Sequence, residues 1–168
     1  MKKLLFASFL FFCILSSYGQ TSIPKAQAMF IYNFSRLINW PSAYRTGSFV
    51  IGVLGDSDTG NEIKNLSGKM VGSQTVEIKN YSSSEQIGHC HILFVPFNET
   101  KNLNEIITKI GSNSTLVIGE KSASINAGAT ISFVTVADKL KYEINPSNGQ
   151  KAGLTISSRI NDMAYKVH

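Results

Sequence analysis

The chain is poor in cysteine, with only two among 168 residues. Cys13 lies in an apolar stretch near the N-terminus, so the remainder of the chain carries Cys90 alone. A single thiol cannot form an internal disulfide, even in an oxidising compartment. We therefore expect stability to come from burial of an apolar core. Cys90 precedes the apolar run Ile92–Val95 and is expected to pack there as a small hydrophobic residue.

Long apolar runs are also scarce, and the one exception is informative. The run Leu4–Leu15 follows Lys2 and Lys3, and its length of about a dozen residues is well short of the roughly twenty needed to cross a bilayer. Such a run is typical of a cleaved export leader. Small residues in Ser17-Tyr18-Gly19 predict cleavage after Gly19.

The predicted organisation is therefore a signal peptide at residues 1–19 and one exported domain at residues 20–168. The bulky Phe12 before Cys13 argues against a lipoprotein signal. Without the two leader lysines the chain keeps 14 basic and 11 acidic residues, a balance of only +3. Because the basic residues form no cluster, nucleic acid is excluded as a partner.

Helical and strand patterns alternate along this domain. Ser22 can cap a helix that has Pro24 in its first turn and ends near Trp40-Pro41. Alternating strands and helices predict a three-layer α/β sandwich whose mostly parallel sheet is flanked by helices. The expected buried strands are 48–55, 92–96 and 115–118, a modest strand is expected at 75–79, and a further helix is expected at 101–110.

The C-terminal part has a different pattern. The β-rich runs Thr130–Val136 and Lys139–Ile144 are separated by Ala137-Asp138, which predicts an antiparallel hairpin at one edge of the sheet. Apolar residues recur at helical spacing from Ala152 to Val167 and predict a single closing helix.

A serine after the first buried strand offers one enzymatic hypothesis. Gly55-Asp56-Ser57 resembles the nucleophile block of the exported GDSL or SGNH serine esterases. That family takes its general base from a late Asp-x-x-His pair, whereas here Asp162 is followed by Tyr165, and His168 is expected to be frayed. We favour a turn in which Ser57 caps a helix, so no catalytic residue is predicted.

Two other patterns give no cofactor or metal prediction. In His89-Cys90-His91, strand alternation would point Cys90 away from both histidines, and no other His or Cys pair has metal-like spacing. The glycines Gly52 and Gly55 lack the remaining residues of a phosphate-binding loop.

The sole tryptophan, Trp40, suggests a binding site. It follows Asn33 and Arg36, and an aromatic ring beside an arginine can line a small-ligand pocket or anchor an interface. Core packing of Trp40 is the alternative, as is a solvated position for Arg159 in the last predicted helix. The candidate ligand- or partner-binding residues are Asn33, Arg36, Trp40 and Arg159.

Taken in order, several segments resemble the YfiR family of exported bacterial proteins. The similarity extends over nearly all of Pro24 to Val167. The segments are Tyr32-Asn33-Phe34 with Trp40-Pro41, Phe49–Gly55, Leu66–Lys69 with Val71, Cys90–Val95, Gly128 with Ile131 and Phe133, Tyr142–Asn145, and Ala152–Ser158.

This resemblance implies a non-catalytic periplasmic regulator that needs no cofactor. Such proteins bind and restrain the periplasmic sensor region of an inner-membrane signalling protein, either a diguanylate cyclase or a sensor kinase. An outer-membrane, peptidoglycan-binding lipoprotein releases the restraint by sequestering the regulator, and a homodimer is expected. The redox-responsive cysteine pairs of some members have no counterpart here, because Cys90 has no partner.

Overall fold

A computed structural model describes residues 21–168, so the predicted leader lies outside the described residues. None of the helices within this part of the chain is long and apolar enough to cross a membrane. In chain order the elements are α1 (Ile23–Leu37), β1 (Ile38–Asn39), β2 (Phe49–Leu54), α2 (Asp58–Lys64), β3 (Met70–Val71), β4 (Gln74–Tyr81), β5 (Ile92–Val95), α3 (Leu103–Ile110), β6 (Leu116–Gly119), β7 (Ile131–Val136), β8 (Lys139–Ile144), α4 (Pro146–Lys151), β9 (Thr155–Ile156), α5 (Ser158–Met163) and β10 (Lys166–Val167).

The first helix begins as its sequence predicts. The Ser22 hydroxyl accepts a hydrogen bond from the Lys25 N–H at 3.4 Å, and Pro24 occupies the first turn, where its missing N–H costs nothing. The helix ends at Leu37, because Ile38 adopts an extended conformation and enters β1. This strand pairs antiparallel with β9 in a small second sheet.

The main sheet has eight strands in the order β10-β8-β7-β6-β5-β2-β4-β3. Five neighbouring strands run parallel to one another, namely β7, β6, β5, β2 and β4. β7 and β8 form the predicted antiparallel hairpin, and both turn residues, Ala137 and Asp138, have positive φ as a type I′ turn requires. β10 adds a further strand, parallel to β8, beyond the hairpin. The predicted α/β sandwich is confirmed.

Strand β2 shows how the sheet is buried on both faces. Phe49, Ile51 and Val53 enter the apolar cluster beneath α1. Val50 and Leu54 point the other way, into the cluster beneath α3. Alternation with both faces covered produces the nearly continuous apolar run that identified this strand.

The prediction of a single closing helix over Ala152–Val167 is wrong. α4 ends before Gly153, whose φ of +71° favours glycine and breaks the helix. The chain then forms β9, the short helix α5 and the edge strand β10. The apolar residues spaced about four apart therefore lie in separate elements. Among them, Ile160 in α5 is fully buried.

Candidate functional site

Ser57 serves as a helix cap. Gly55 turns the chain after β2 with a φ of +65°, and the Ser57 Oγ accepts a hydrogen bond from the Gly60 N–H at 3.0 Å. This confirms the favoured interpretation of the motif. The histidines of residues 21–168 contact other groups: His89 and His91 pack beside Tyr44, and His168 contacts Glu143.

The adjoining carboxyl edge of the sheet is filled by the protein's own side chains. Ligands of parallel α/β sheets commonly bind where the strand order reverses, which here is between β2 and β5. At this edge the Glu120 carboxylate accepts hydrogen bonds from the Thr59 hydroxyl at 3.1 Å and the Phe97 N–H at 2.9 Å. The Thr59 hydroxyl also contacts the amide oxygen of the buried Gln27. Within residues 21–168 no histidine hydrogen-bonds to Ser57.

The residues His89-Cys90-His91 follow the predicted alternation. Cys90 is buried in the cluster beneath α3, and this burial raises the pKa of its thiol to about 12. His91 lies on the opposite side, with its ring stacked 4.3 Å from that of Phe49. Within residues 21–168 no group of three or more His, Cys, Asp or Glu side chains could hold a metal ion.

His91 fixes a loop across the amino ends of the strands. Its Nδ1 accepts a hydrogen bond from the Val50 N–H at 3.0 Å, so its Nε2 must carry the proton that is donated to the Tyr44 carbonyl at 2.7 Å. Burial lowers the pKa of His91, which keeps the ring neutral. The Tyr44 hydroxyl in turn accepts from the Ser114 N–H at 2.9 Å. The loop between β1 and β2 is thereby held through both the backbone carbonyl and the side-chain hydroxyl of Tyr44.

Trp40 lies beneath this loop. Its side chain is 5 % exposed and packs edge-on against Phe49, with ring centroids 5.0 Å apart. The indole Nε1 donates a hydrogen bond to the His91 carbonyl at 3.2 Å. Arg45 reaches back from the loop and donates from its Nε to the Trp40 carbonyl at 3.0 Å. Trp40 therefore packs in the core while its backbone and one edge face a groove.

This groove, which we term the amino-edge groove, has a volume of about 330 Å³. It brings together two of the four predicted site residues, Arg36 and Trp40. Asn33 and Arg159 are exposed on α1 and α5 and do not line it. The lining residues are Ser35, Arg36, Ile38, Asn39, Trp40, Arg45, Phe49, Val71, Gly72, Ser73 and Gln74.

Arg45 and Gln74 are among the polar residues of the groove that sequence reasoning missed. Arg45 lies in an irregular loop between Pro41 and Gly47, where no periodicity marks its direction. Gln74 begins β4 and donates from its side-chain amide to the Tyr44 carbonyl at 3.1 Å. Only the pairing of β4 beside β2 brings these positions together, so no local signal could have identified them.

A second exposed feature lies at the opposite end of the sheet. Met163, Tyr165 and Val167 are 56 %, 55 % and 50 % exposed, respectively. Met163 ends α5, Tyr165 lies between α5 and β10, and Val167 lies in β10, the strand at this edge of the sheet. We call these three residues the C-terminal apolar edge. Exposed apolar side chains at and beside an edge strand mark a surface suited to a partner.

The expectation that His168 is frayed is wrong. Its backbone N–H donates to the Ile144 carbonyl at 2.9 Å, which extends the pairing of β10 with β8. Its Nε2 lies 3.1 Å from a Glu143 carboxylate oxygen, which also accepts from the Ser122 hydroxyl at 2.7 Å. Backbone pairing and this carboxylate together hold the last residue in place.

Two solved structures are similar to this chain in fold. A conserved domain protein from Vibrio cholerae matches with a TM-score of 0.62 and 12% identity, over 88% of this chain and 60% of that one. An ABC domain from Streptococcus pneumoniae, solved in complex with L-Trp, matches with a TM-score of 0.57 and 16% identity, over 86% and 60%. The chain thus spans about 60% of the length of each, and at these identities the likeness shows the fold alone. No curated protein matches the chain significantly.

A family model gives the more specific result. The model described as YfiR/HmsC-like matches residues 24–165. The match begins in the first turn of α1 and ends just before β10, so it covers the amino-edge groove and nearly all of the main sheet. The chain belongs to the YfiR/HmsC-like family.

Proposed function

We propose that this protein is a periplasmic regulator of cyclic-di-GMP signalling that acts by binding rather than by catalysis. The family match over residues 24–165 carries the proposal. The predicted leader at residues 1–19 would deliver the protein to the periplasm. Its target would be the periplasmic sensor region of an inner-membrane diguanylate cyclase, with a sensor kinase as the other class of target.

Restraint by binding requires a difference in affinity. The regulator would stabilise the inactive state of the sensor because it binds that state more tightly than the active one. An outer-membrane, peptidoglycan-binding lipoprotein would remove this bias by sequestering the regulator. The geometry around Ser57 supports the absence of turnover, since its hydroxyl caps α2 and no histidine of residues 21–168 hydrogen-bonds to it.

The C-terminal apolar edge is our proposed contact for the sensor. A partner segment in extended conformation can add to an edge strand through backbone hydrogen bonds, while side-chain pockets supply specificity. Lys139 and Lys141 of β8 and Lys166 of β10 are exposed at this edge. We therefore propose an extended segment of the sensor region that carries apolar and acidic side chains, because these would complement the exposed apolar residues and lysines.

Affinity capture from membranes tests this contact. The tagged, exported protein should recover an inner-membrane sensor protein, and Tyr165→Asp should reduce the recovery by roughly tenfold, as expected for loss of an aromatic interface anchor. Phe97→Asp is a matched control, because Phe97 is an equally exposed aromatic residue, at 60 %, located outside this edge. Equal recovery with both variants, or no sensor recovered by the unaltered protein, would contradict the proposal.

A second copy of the chain is the other possible occupant of the C-terminal apolar edge, and the Tyr165→Asp variant also tests it. A homodimer is proposed from the family resemblance, and light scattering measures it directly. If Tyr165→Asp converts a dimer into a monomer while leaving sensor capture intact, the C-terminal apolar edge joins two copies and the sensor binds elsewhere.

A ligand-sensing role is the second candidate function. It is favoured by the amino-edge groove, in which Trp40, Arg36 and Arg45 surround a space large enough for a small metabolite. Such a role is compatible with partner binding, because the groove and β10 involve different ends of the main sheet.

A further inference from the structure

The described part of the chain contains three arginines, and two of them line the amino-edge groove. No carboxylate lines this groove. The two ion pairs within residues 21–168, Lys79 with Glu77 and His168 with Glu143, involve no arginine. Two arginines thus line one groove whose lining residues include no carboxylate to neutralise them.

We propose that the amino-edge groove binds a small organic oxyanion, held by Arg36 and Arg45 through a carboxylate or phosphate group. This inference rests on the ligand-sensing candidate function and names the class of ligand. It does not depend on the sensor contact at the C-terminal apolar edge.

The hydrogen bonds of Arg45 leave part of its guanidinium available. Only its Nε is used, in the 3.0 Å bond to the Trp40 carbonyl, which fixes the direction of the side chain. Its terminal nitrogens can then donate to an oxyanion in the paired geometry that arginine favours. Because the anchoring bond orients Arg45 beforehand, less side-chain entropy is lost on binding.

Arg36 provides the second cation from α1. Its guanidinium carbon lies 5.9 Å from the centre of the Tyr32 ring, and Lys69 Nζ lies 5.8 Å from the same ring. The Arg36 side chain makes no hydrogen bond or ion pair with another group of residues 21–168. Its donors therefore remain free, and Lys69 adds a third positive charge nearby.

The other lining residues indicate which chemical groups the rest of the ligand would carry. Ile38, Phe49 and Val71 contribute apolar surface, while Ser73 and Asn39 supply polar groups. An anion with a compact apolar or aromatic body suits this combination. The volume of about 330 Å³ limits it to the size of a small metabolite.

This site is separate from the expected ligand edge of the sheet. Arg45 precedes β2, and Gly72 and Ser73 precede β4, so the groove lies at the amino ends of these parallel strands. The strand-order reversal beside Ser57 is at their carboxyl ends. A ligand in the groove would contact the same loop that His91 fastens through Tyr44.

Titration of the purified protein tests the proposal. Benzoate and inorganic phosphate are added separately at constant ionic strength, with sodium chloride as the blank, while Trp40 fluorescence and calorimetric heat are recorded. At least one anion should bind saturably at one site per chain. Tighter binding of benzoate identifies a carboxylate ligand, whereas tighter binding of phosphate identifies a phosphorylated one.

Three single substitutions locate the site. Arg36→Gln should weaken binding roughly tenfold or more, since a charge-assisted hydrogen bond is lost. Arg36→Lys should bind at an intermediate level, because the charge remains without the paired donors. Arg159→Gln should bind as tightly as the unaltered protein, because this exposed arginine lies outside the groove.

Circular dichroism establishes that each variant is folded, and Arg45→Gln replaces Arg36→Gln if the latter does not fold. No saturable binding of either anion, or equal weakening by Arg159→Gln, would overturn the proposal. Either failure leaves the membrane-capture result unchanged, so it is distinguishable from a failure of the sensor-binding function.

Discussion

A His91→Ala variant should lose about 3–5 kcal/mol of its free energy of unfolding near neutral pH. The substitution leaves the buried Val50 N–H without its hydrogen-bond partner, and the Tyr44 carbonyl keeps only the Gln74 side-chain amide as a donor. It also opens a cavity beside Phe49 and Trp40, against which the imidazole packs. Urea unfolding measures the loss. His89→Ala is the matched control and should change stability little, because His89 is exposed.

His91 should also make stability depend on pH. Burial lowers its pKa in the folded protein below the ordinary value of 6.5, and the nearby His89 ring, 5.6 Å away, acts in the same direction. The unfolded chain therefore binds a proton more readily. Stability from His91 is fully present above about pH 6.5 and is lost as the pH falls below it.

The difference in free energy of unfolding between the unaltered protein and His91→Ala, measured at several pH values, isolates the contribution of His91. It should be largest above pH 6.5 and should shrink as the solution becomes more acidic. A difference that stays constant, or grows on acidification, would contradict the neutral, doubly hydrogen-bonded ring. Subtracting the free energy of unfolding of the variant removes the contributions of the titrating groups that the two proteins share.

Trp40→Ala should be comparably damaging, at about 3–5 kcal/mol. The indole is nearly fully buried, packs edge-on against Phe49 and bonds to the His91 carbonyl. Trp40→Phe keeps most of the apolar contact and loses the hydrogen bond, so its cost should be only about 1–2 kcal/mol. Urea unfolding followed by circular dichroism compares the two without relying on the missing fluorophore.

The two substitutions at Trp40 separate packing from hydrogen bonding. Equal costs would show that the bond to the His91 carbonyl dominates, contrary to our account. Because Trp40 and His91 are in contact, the double alanine variant should be less destabilised than the sum of the single variants. Additive costs would indicate that the two side chains act independently.

Much of the fold was predictable because burial leaves a local pattern. β2 is covered on both faces and is therefore apolar at nearly every position, and Ala137-Asp138 separates two β-rich runs at the hairpin turn. The closing segment was harder, since apolar spacing of about four residues over Ala152–Val167 fits a helix as well as β9, α5 and β10 in succession. Gly153, with its positive φ, was the signal against one helix.

The sites were less predictable than the fold. Arg36 and Trp40 were identified together because they lie four residues apart, at the end of the helix that the sequence predicts. Arg45 and Gln74 come from distant parts of the sequence, and only sheet pairing places them at the same groove. The C-terminal apolar edge was obscured because Met163 and Val167 fit the apolar stripe of the predicted closing helix.

Cellular cyclic-di-GMP, measured in a deletion strain complemented with variants of this chain, tests most directly whether the protein regulates by binding. The deletion should raise the nucleotide level, and both the unaltered protein and Ser57→Ala should restore it. Tyr165→Asp, exported and folded, should leave the level high. An unchanged level in the deletion strain, or failure of a folded Ser57→Ala beside success of Tyr165→Asp, would contradict the account.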